Sequence, residues 1–251
     1  VIILYTSVTV TGIRGLPLIQ KGDDLPGLIV ERCALEEGDI ICVASTIISK
    51  AKGYTRHLKE ITPGDRAKRI ADMTGEDPRF IQAVLDQACD VLIETPFTLT
   101  EVPGGHVGVR SGVDASNVED GLIITLPPDS MKEAEEIRNE LKSLTGKDCG
   151  VIVTDTCGRS FRRGQTGHAI GWSGMTAIRD FRGDNDLFGK TLEITEEAVV
   201  DEIAGFSNLV MGESNNGVPV VLFRGIPAWS GHNDLYFSPE EDVIRKALKK
   251  E

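Results

Sequence analysis

Residues 150–174, GVIVTDTCGRSFRRGQTGHAIGWSG, decide how the rest of the chain is read. The run Gly150-Val151-Ile152-Val153 is short, apolar and β-branched, which predicts a buried strand. The chain then turns polar at once: Thr154, Asp155 and Thr156, then Arg159, Arg162 and Arg163, with glycines at 164, 167, 171 and 174. A strand tip that delivers an acid and two hydroxyls, followed by arginines and glycines, suits a phosphate ligand. Aspartate supplies a hard oxygen for a divalent cation, and arginine supplies planar charge for phosphate oxygens. Glycine lets the backbone approach an anion closely. Taken alone, the same residues also describe a surface turn whose arginines are merely solvated.

Working outward, residues 131–145 predict a charged amphipathic helix closed by Gly146. Before it lies SGVDASNVEDG (111–121), a second polar cluster. Asp114 and Asn117 are three apart, so one helical turn would bring both oxygens to one side. An oxygen-only pair suits Mg²⁺ or Mn²⁺ and fits zinc poorly, while a helix N-cap accounts for the same residue types. Residues 91–102 and 106–113 predict a β-hairpin turning at Pro103-Gly104-Gly105, and 63–75 and 78–90 predict two helices. The run IICVAS (40–45) predicts a strand, with Ser45, Thr46, Ser49 and Lys50 emerging at its end. Lys50 and Lys52 beside hydroxyls could hold phosphates or be plain solvated charges. Residues 1–10 predict a first strand rather than a signal peptide. A loop stiffened by Gly15 and Pro17 follows, then a helix from Asp23/Asp24 to Cys33. Downstream, 196–209 predict a helix, and Glu213, Ser214, Asn215, Asn216 and Gly217 form a third polar loop before a buried strand. Residues 239–250 predict a final helix whose acids and bases complement its dipole.

With 251 residues the chain has ample length for a real core, as one unit or two subdomains divided near 90–110 or near 180–190. The formal charge of −12 argues against a general nucleic-acid binder, which needs a basic face. No stretch approaches the ~20 apolar residues of a membrane span. Five scattered cysteines, without a CxxC pair, predict reduced thiols and a cytoplasmic setting, with Cys33, Cys42, Cys89 and Cys149 in the core. Residues 183–191, GDNDLFGKT, imitate a phosphate-binding loop but carry one residue too many between the glycines. The four histidines are widely spaced, which disfavours a histidine metal site. His168 alone sits in the glycine-rich stretch. Cys157 offers a nucleophile without an evident partner base. What remains is Asp114, Asn117, Asp155, Thr156 and Glu213 as oxygen ligands, with Lys50 and the arginines as cationic partners. That set suits metal-assisted phosphoryl transfer.

The segments GLPLIQKGDDL (15–25), ASTIISKAKG (44–53), SGVDASNVEDG (111–121), VTDTCGRSFRRGQTGHAIGWSG (153–174), VVDEIAGFSNLVMGE (199–213) and EEDVIRKALK (240–249) occur in this order. Together they resemble the coenzyme F420-0:L-glutamate ligase, or γ-glutamyl ligase, family over nearly the whole chain. The resemblance implies an unusual α+β fold of mixed and antiparallel sheets with flanking helices, assembled as an intertwined homodimer. It implies a GTP-dependent amide ligase that adds L-glutamate to the deazaflavin precursor F420-0 and then γ-linked glutamate, using two Mg²⁺ or Mn²⁺ ions and K⁺. In that pattern the GTP contacts match Leu16, Pro17, Leu18, Ile19, Ser45, Thr46, Lys50 and Asn117. Met211, Gly212, Glu213, Ser214, Asn215, Asn216, Gly217 and Val218 complete the nucleotide site. Asp114 and Asp155 match the ligands of one ion, Thr156 and Glu213 those of a second.

The chemistry agrees with the residues. A carboxylate acylates an amine poorly because oxide is a bad leaving group, so phosphorylation must come first. Two cations would offset the charge of γ-phosphate and carboxylate. Arg159, Arg162 and Arg163 are added as candidate contacts to phosphate or substrate carboxylate, the first two with Asp155 as catalytic candidates. Residues 226–239 match no motif. A ligase with another acceptor, or a nucleotide- or deazaflavin-binding module without turnover, would share these features.

Overall fold

The structure, a computed structural model, describes residues 7–248. Strand β1 (Thr9–Ile13) leads through a long loop to a short helix, α1 (Leu25–Val30), and β2 (Ile40–Ala44) runs directly into α2 (Ser45–Lys52). A smaller lobe follows, with β3 (Thr55–His57), α3 (Asp65–Thr74), α4 (Pro78–Gln87), β4 (Asp90–Ile93), β5 (Leu99–Glu101), β6 (Val107–Val109) and β7 (Leu122–Ile124). Helix α5 (Ser130–Thr145) then precedes a long hairpin, β8 (Gly150–Arg159) and β9 (Arg162–Ser173). The chain closes with β10 (Ile178–Asp180), β11 (Glu196–Glu197), α6 (Val199–Met211), β12 (Val220–Arg224), β13 (Gly231–His232) and α7 (Val243–Leu248).

The central sheet has the order β1-β12-β2-β8-β9. Its only parallel pair is β2 with β8, and the other neighbours are antiparallel. The mixed and antiparallel sheets expected of an α+β protein are therefore present. Strand alternation divides the core into two. Val151 and Val153 face one side, packed with Ile47, Ile48, Ala134 and Leu141 of α2 and α5. Ile152 and Ala169 face the other, with Val200, Ile203 and Ala204 of α6. The smaller lobe has cores of its own, around Ile123 and Val84 and around Ile70 and Ile81. Residues 226–239, without a motif in the sequence, buttress the α6 face. The Asn233 side-chain oxygen accepts from Trp172 Nε1 at 2.9 Å and from the Ala177 amide at 3.0 Å, and the Tyr236 hydroxyl donates to the Ala169 carbonyl at 3.3 Å.

Several sequence expectations change. The polar stretch after Val153 is not a loop: β8 continues to Arg159 and returns as β9, so the arginines mark a hairpin tip. Two of its glycines, Gly167 and Gly171, serve packing. A Cβ on Gly167 would stand 2.3 Å from the Ala204 carbonyl oxygen and one on Gly171 2.2 Å from that of Ser130, so their absence lets α6 and α5 lie directly on β9. The strand expected over 91–102 is two, β4 and β5, separated by the cis Thr95-Pro96 turn. Helix α1 ends at Val30, short of Cys33, and the residues expected at the end of β2 form the first turns of α2. The expected first strand falls partly outside the described residues, and β1 begins at Thr9; the final helix is described only to Leu248. All five cysteines are free, but Cys89 is exposed rather than in the core.

Gly171→Ala forces a methyl group against the α5 backbone. The substitution is expected to cost about 2 kcal/mol by overpacking, read as a lower urea midpoint at unchanged slope.

Candidate active site

Parallel strands share a direction, so β2 and β8 end together, with Ala44 paired to Thr154. One residue further, Ser45 opens α2 and Asp155 projects from β8, and the Ser45 hydroxyl donates to Asp155 Oδ1 at 3.1 Å. Helix α2 has Ala44 at its N-cap and no side-chain cap. Its first amides and the positive end of its dipole are left to whatever anion sits before them. Asp155 continues the Val151–Val153 face, whereas Thr156 turns to the α6 face. There the Thr156 hydroxyl donates to Glu213 Oε1 at 3.0 Å, and Asn208 donates to Thr156 Oγ1 at 3.1 Å and also to Glu213. Asn208 is missed by the sequence reading; its mark there is the one amide of α6, in the helix's last, mostly apolar turn.

The Asp155 carboxyl is pushed up to about 6, chiefly by withdrawal from water and further by the carboxylates of Asp114 and Glu213. The Ser45 hydroxyl and the Thr156 amide oppose that shift. Asp114, Asp155, Thr156 and Glu213 line one cleft and offer only oxygen donors, a chemistry that suits a hard divalent cation rather than zinc, although the three carboxylates are not gathered within 4.8 Å of one another. Asp114 reaches the set from an extended segment bridged to Ile124, not from the helical turn expected, and its carboxylate accepts the Ser116 amide at 3.0 Å.

These groups line a cleft of about 790 Å³. Leu16, Pro17, Leu18 and Ile19 form one wall, and Ser45, Thr46 and Lys50 another. Asn117 and the loop from Met211 to Val218 close it, except that Asn216 lies behind, accepting from the Ser214 hydroxyl at 3.0 Å. Lys50 Nζ donates to the Asn117 carbonyl at 2.6 Å, and burial lowers the lysine's pKa. Lys52 is elsewhere, paired with Glu133 and Glu136. Arg159, Arg162 and Arg163 do not line the cleft, because the hairpin carries them past it.

The arginine on the cleft is Arg110, which sequence reasoning missed. Arg110, Ser111 and Gly112 are all left-handed, with φ of 58°, 54° and 65°. Such backbone is costly for non-glycine residues and is held here by buried hydroxyls. Ser111 Oγ donates to the Val84 carbonyl at 2.8 Å and lies 2.9 Å from Thr100 Oγ1. No spacing in the sequence announces this turn. His106, Cys157 and Gln165 also line the cleft. Burial raises the pKa of the Cys157 thiol, which weighs against its serving as a nucleophile. His168 does not line the cleft, and its Nδ1 faces the Thr166 carbonyl at 3.1 Å. Away from the cleft, Asp180, Glu196 and His232 cluster within 4.8 Å, but Arg182 already pairs with both carboxylates at 2.6 and 3.1 Å.

Fold and cleft thus define an α+β protein with an acidic, oxygen-lined site where two parallel strands end at a helix N-terminus. The family model described as F420-0:gamma-glutamyl ligase matches residues 12–225, and the chain belongs to that family. It is 49% identical over 245 residues to the coenzyme F420:L-glutamate ligase of Archaeoglobus fulgidus, covering 97% of this chain and 98% of that one. Proteins of the same description from Halobacterium salinarum and Methanosarcina acetivorans are 47% and 46% identical, each over 94% of this chain and 95% of its own length. Among the described residues no helix is long and apolar enough to cross a membrane.

Burial first, and His168 second, lower the pKa of His106 to about 4, against an ordinary 6.5. The unfolded chain therefore binds this proton first as pH falls, so the contribution is full above pH 6.5 and is lost toward pH 4. Relative to His106→Leu, the protein is expected to lose about 3 kcal/mol more stability across that window, measured by denaturant titration at several pH values.

Proposed function

We propose that this chain is a GTP-dependent amide ligase that joins the amine of L-glutamate to the carboxylate of the coenzyme F420 precursor F420-0, and then adds γ-linked glutamate. The observation that carries the reading is Asp155, half-buried at the end of β8, bonded to Ser45 at the uncapped N-terminus of α2 and on the same cleft as Asp114 and Glu213. Family membership supplies the substrates.

In this reading Leu16–Ile19, Ser45, Thr46, Lys50, Asn117, Met211–Asn215, Gly217 and Val218 hold GTP, with Asn216 behind the cleft supporting Ser214. The amides of α2 and the Lys50 ammonium attract the phosphates; the dipole effect alone is worth roughly 0.3–1 kcal/mol. Asp114 and Asp155 would hold one divalent ion, and Thr156 and Glu213 a second. Such ions, Mg²⁺ or Mn²⁺, neutralise charge on the transferring phosphoryl group and the incoming carboxylate. The Ser45 hydroxyl orients Asp155, and Asn208 orients Thr156 and Glu213, so the donors are set before substrate arrives. The acceptor carboxylate takes the γ-phosphoryl group to give an acyl phosphate, and the glutamate amine displaces phosphate. Arg159, Arg162 and Arg163 have no part in this scheme. Leu187 and Phe188, almost fully exposed, are side chains that a second copy would cover, in keeping with a homodimer.

Purified protein incubated with F420-0, glutamate, GTP and Mn²⁺ is expected to yield F420-0 heavier by one or more glutamyl units, with GDP release, by mass spectrometry. Asp155→Asn should lower the rate by a factor corresponding to ~3 kcal/mol or more. A chelator should abolish turnover, and added Mg²⁺ or Mn²⁺ should restore it. GTP turnover without glutamylated product would mean another acceptor, and binding without turnover would mean a binding module.

A further inference from the structure

The scheme above leaves His106 on the cleft unused, along with Cys157 and Arg110, whose guanidinium pairs with Glu76. His106 is 8% exposed, and its ring makes no hydrogen bond among the described residues; its ring neighbour is His168, with centroids 6.5 Å apart. Its ring nitrogens are not among the buried unpartnered atoms, so an imidazole without a protein partner on the wall of the cleft stands open to a group that arrives with the substrate. The position of Nε2 follows from Gly108. A Cβ built there would stand 3.1 Å from His106 Nε2 and 3.7 Å from Cys157 Sγ, and all three residues line the cleft. Cys157 is two residues beyond Asp155 on β8, about 7 Å along the strand. The ring thus lies on the cleft wall beside Gly108 and near Cys157, further along β8 than Asp155.

Resting on the ligase reading, we propose that His106 is the proton acceptor for the amine substrate. The amine enters with its lone pair free and forms the C–N bond to the carbonyl carbon of the acyl phosphate. The adduct then carries one proton too many on nitrogen. His106 takes that proton while the C–O bond to phosphate breaks and phosphate leaves with the electron pair. The imidazolium returns its proton to solvent through the cleft. The nitrogen of the adduct is far more acidic than a free ammonium group, so a weak base serves, and burial keeps the imidazole in its accepting, neutral form. Other groups on the cleft are committed: Asp114, Asp155 and Glu213 to cations in this scheme, and Lys50 to the Asn117 carbonyl.

The test separates activation from transfer. His106→Asn removes the acceptor, and Gly108→Ala keeps the imidazole but crowds Nε2. Both are assayed for glutamyl transfer and, separately, with no amine present, for positional isotope exchange of ¹⁸O in the β,γ-bridge of GTP, which reports reversible acyl phosphate formation. Circular dichroism at the assay temperature checks that both variants are folded. Glutamyl transfer is expected to fall about 100-fold or more in His106→Asn, and in the same direction in Gly108→Ala, while isotope exchange stays within about threefold of wild type. Equal loss of transfer and exchange would overturn the proposal, because His106 would then serve folding or activation. Unchanged glutamyl transfer in His106→Asn would overturn it too, and would leave the ligase reading intact. A wild-type protein that makes no glutamylated product removes both.

Discussion

The parallel pairing of β2 with β8 is the constraint on which the site depends. Antiparallel neighbours end at opposite edges of a sheet, so any other partner for β8 would separate Ser45 from Asp155. Here Ala44 lies opposite Thr154, and the next residue of each strand enters the cleft. One ladder brings a helix N-terminus and a carboxylate to the same place, although they are 110 residues apart in sequence. The remaining strands serve this pair. β12 lies antiparallel on the far side of β2, and the Asp39–Arg224 ion pair, at 2.7 Å, ties the start of β2 to the end of β12. β9 covers β8 and supplies the glycine surface on which two helices rest.

Electrostatics explains how an acidic chain can serve anionic substrates. Asp114 and Glu213 each oppose charge on Asp155, and in the proposed reading divalent cations would offset that repulsion. Positive potential is then local, from the α2 amides and Lys50, rather than spread over a basic face. The formal charge of −12 is consistent with this division, because in the proposed reading the phosphates would meet only one small part of the surface.

Local pattern was legible in the sequence. The β-branched run at 150–153, the amphipathic stretches of α5 and α6 and the polar loop at 213–217 are all read from their own residues, since they depend on alternation, helical spacing and turn chemistry. Long-range partners were not. The arginines at 159–163 look catalytic while the stretch is taken for a loop, and only pairing with β9 shows that they are carried past the cleft. Glycines 167 and 171 carry no label that distinguishes anion approach from helix packing; the atoms they approach, carbonyls of Ala204 and Ser130, lie on other elements. Arg110, His106 and Asn208 were missed for the same reason. Each becomes notable through a backbone conformation, an absent partner or a neighbour that no spacing rule encodes.

The alternation of β8 makes the site a matter of parity. Asp155 and Thr156 serve opposite faces only because they are adjacent, and each face meets its own helix: α2 with Ser45 on one, α6 with Asn208 on the other. Inserting one residue before Asp155 would exchange the faces, setting the carboxylate against α6 and the hydroxyl against α2. Inserting two would restore the faces but move both groups about 7 Å outward, past their partners. Within β8, substitution is thus open to descent in ways that a change of length is not.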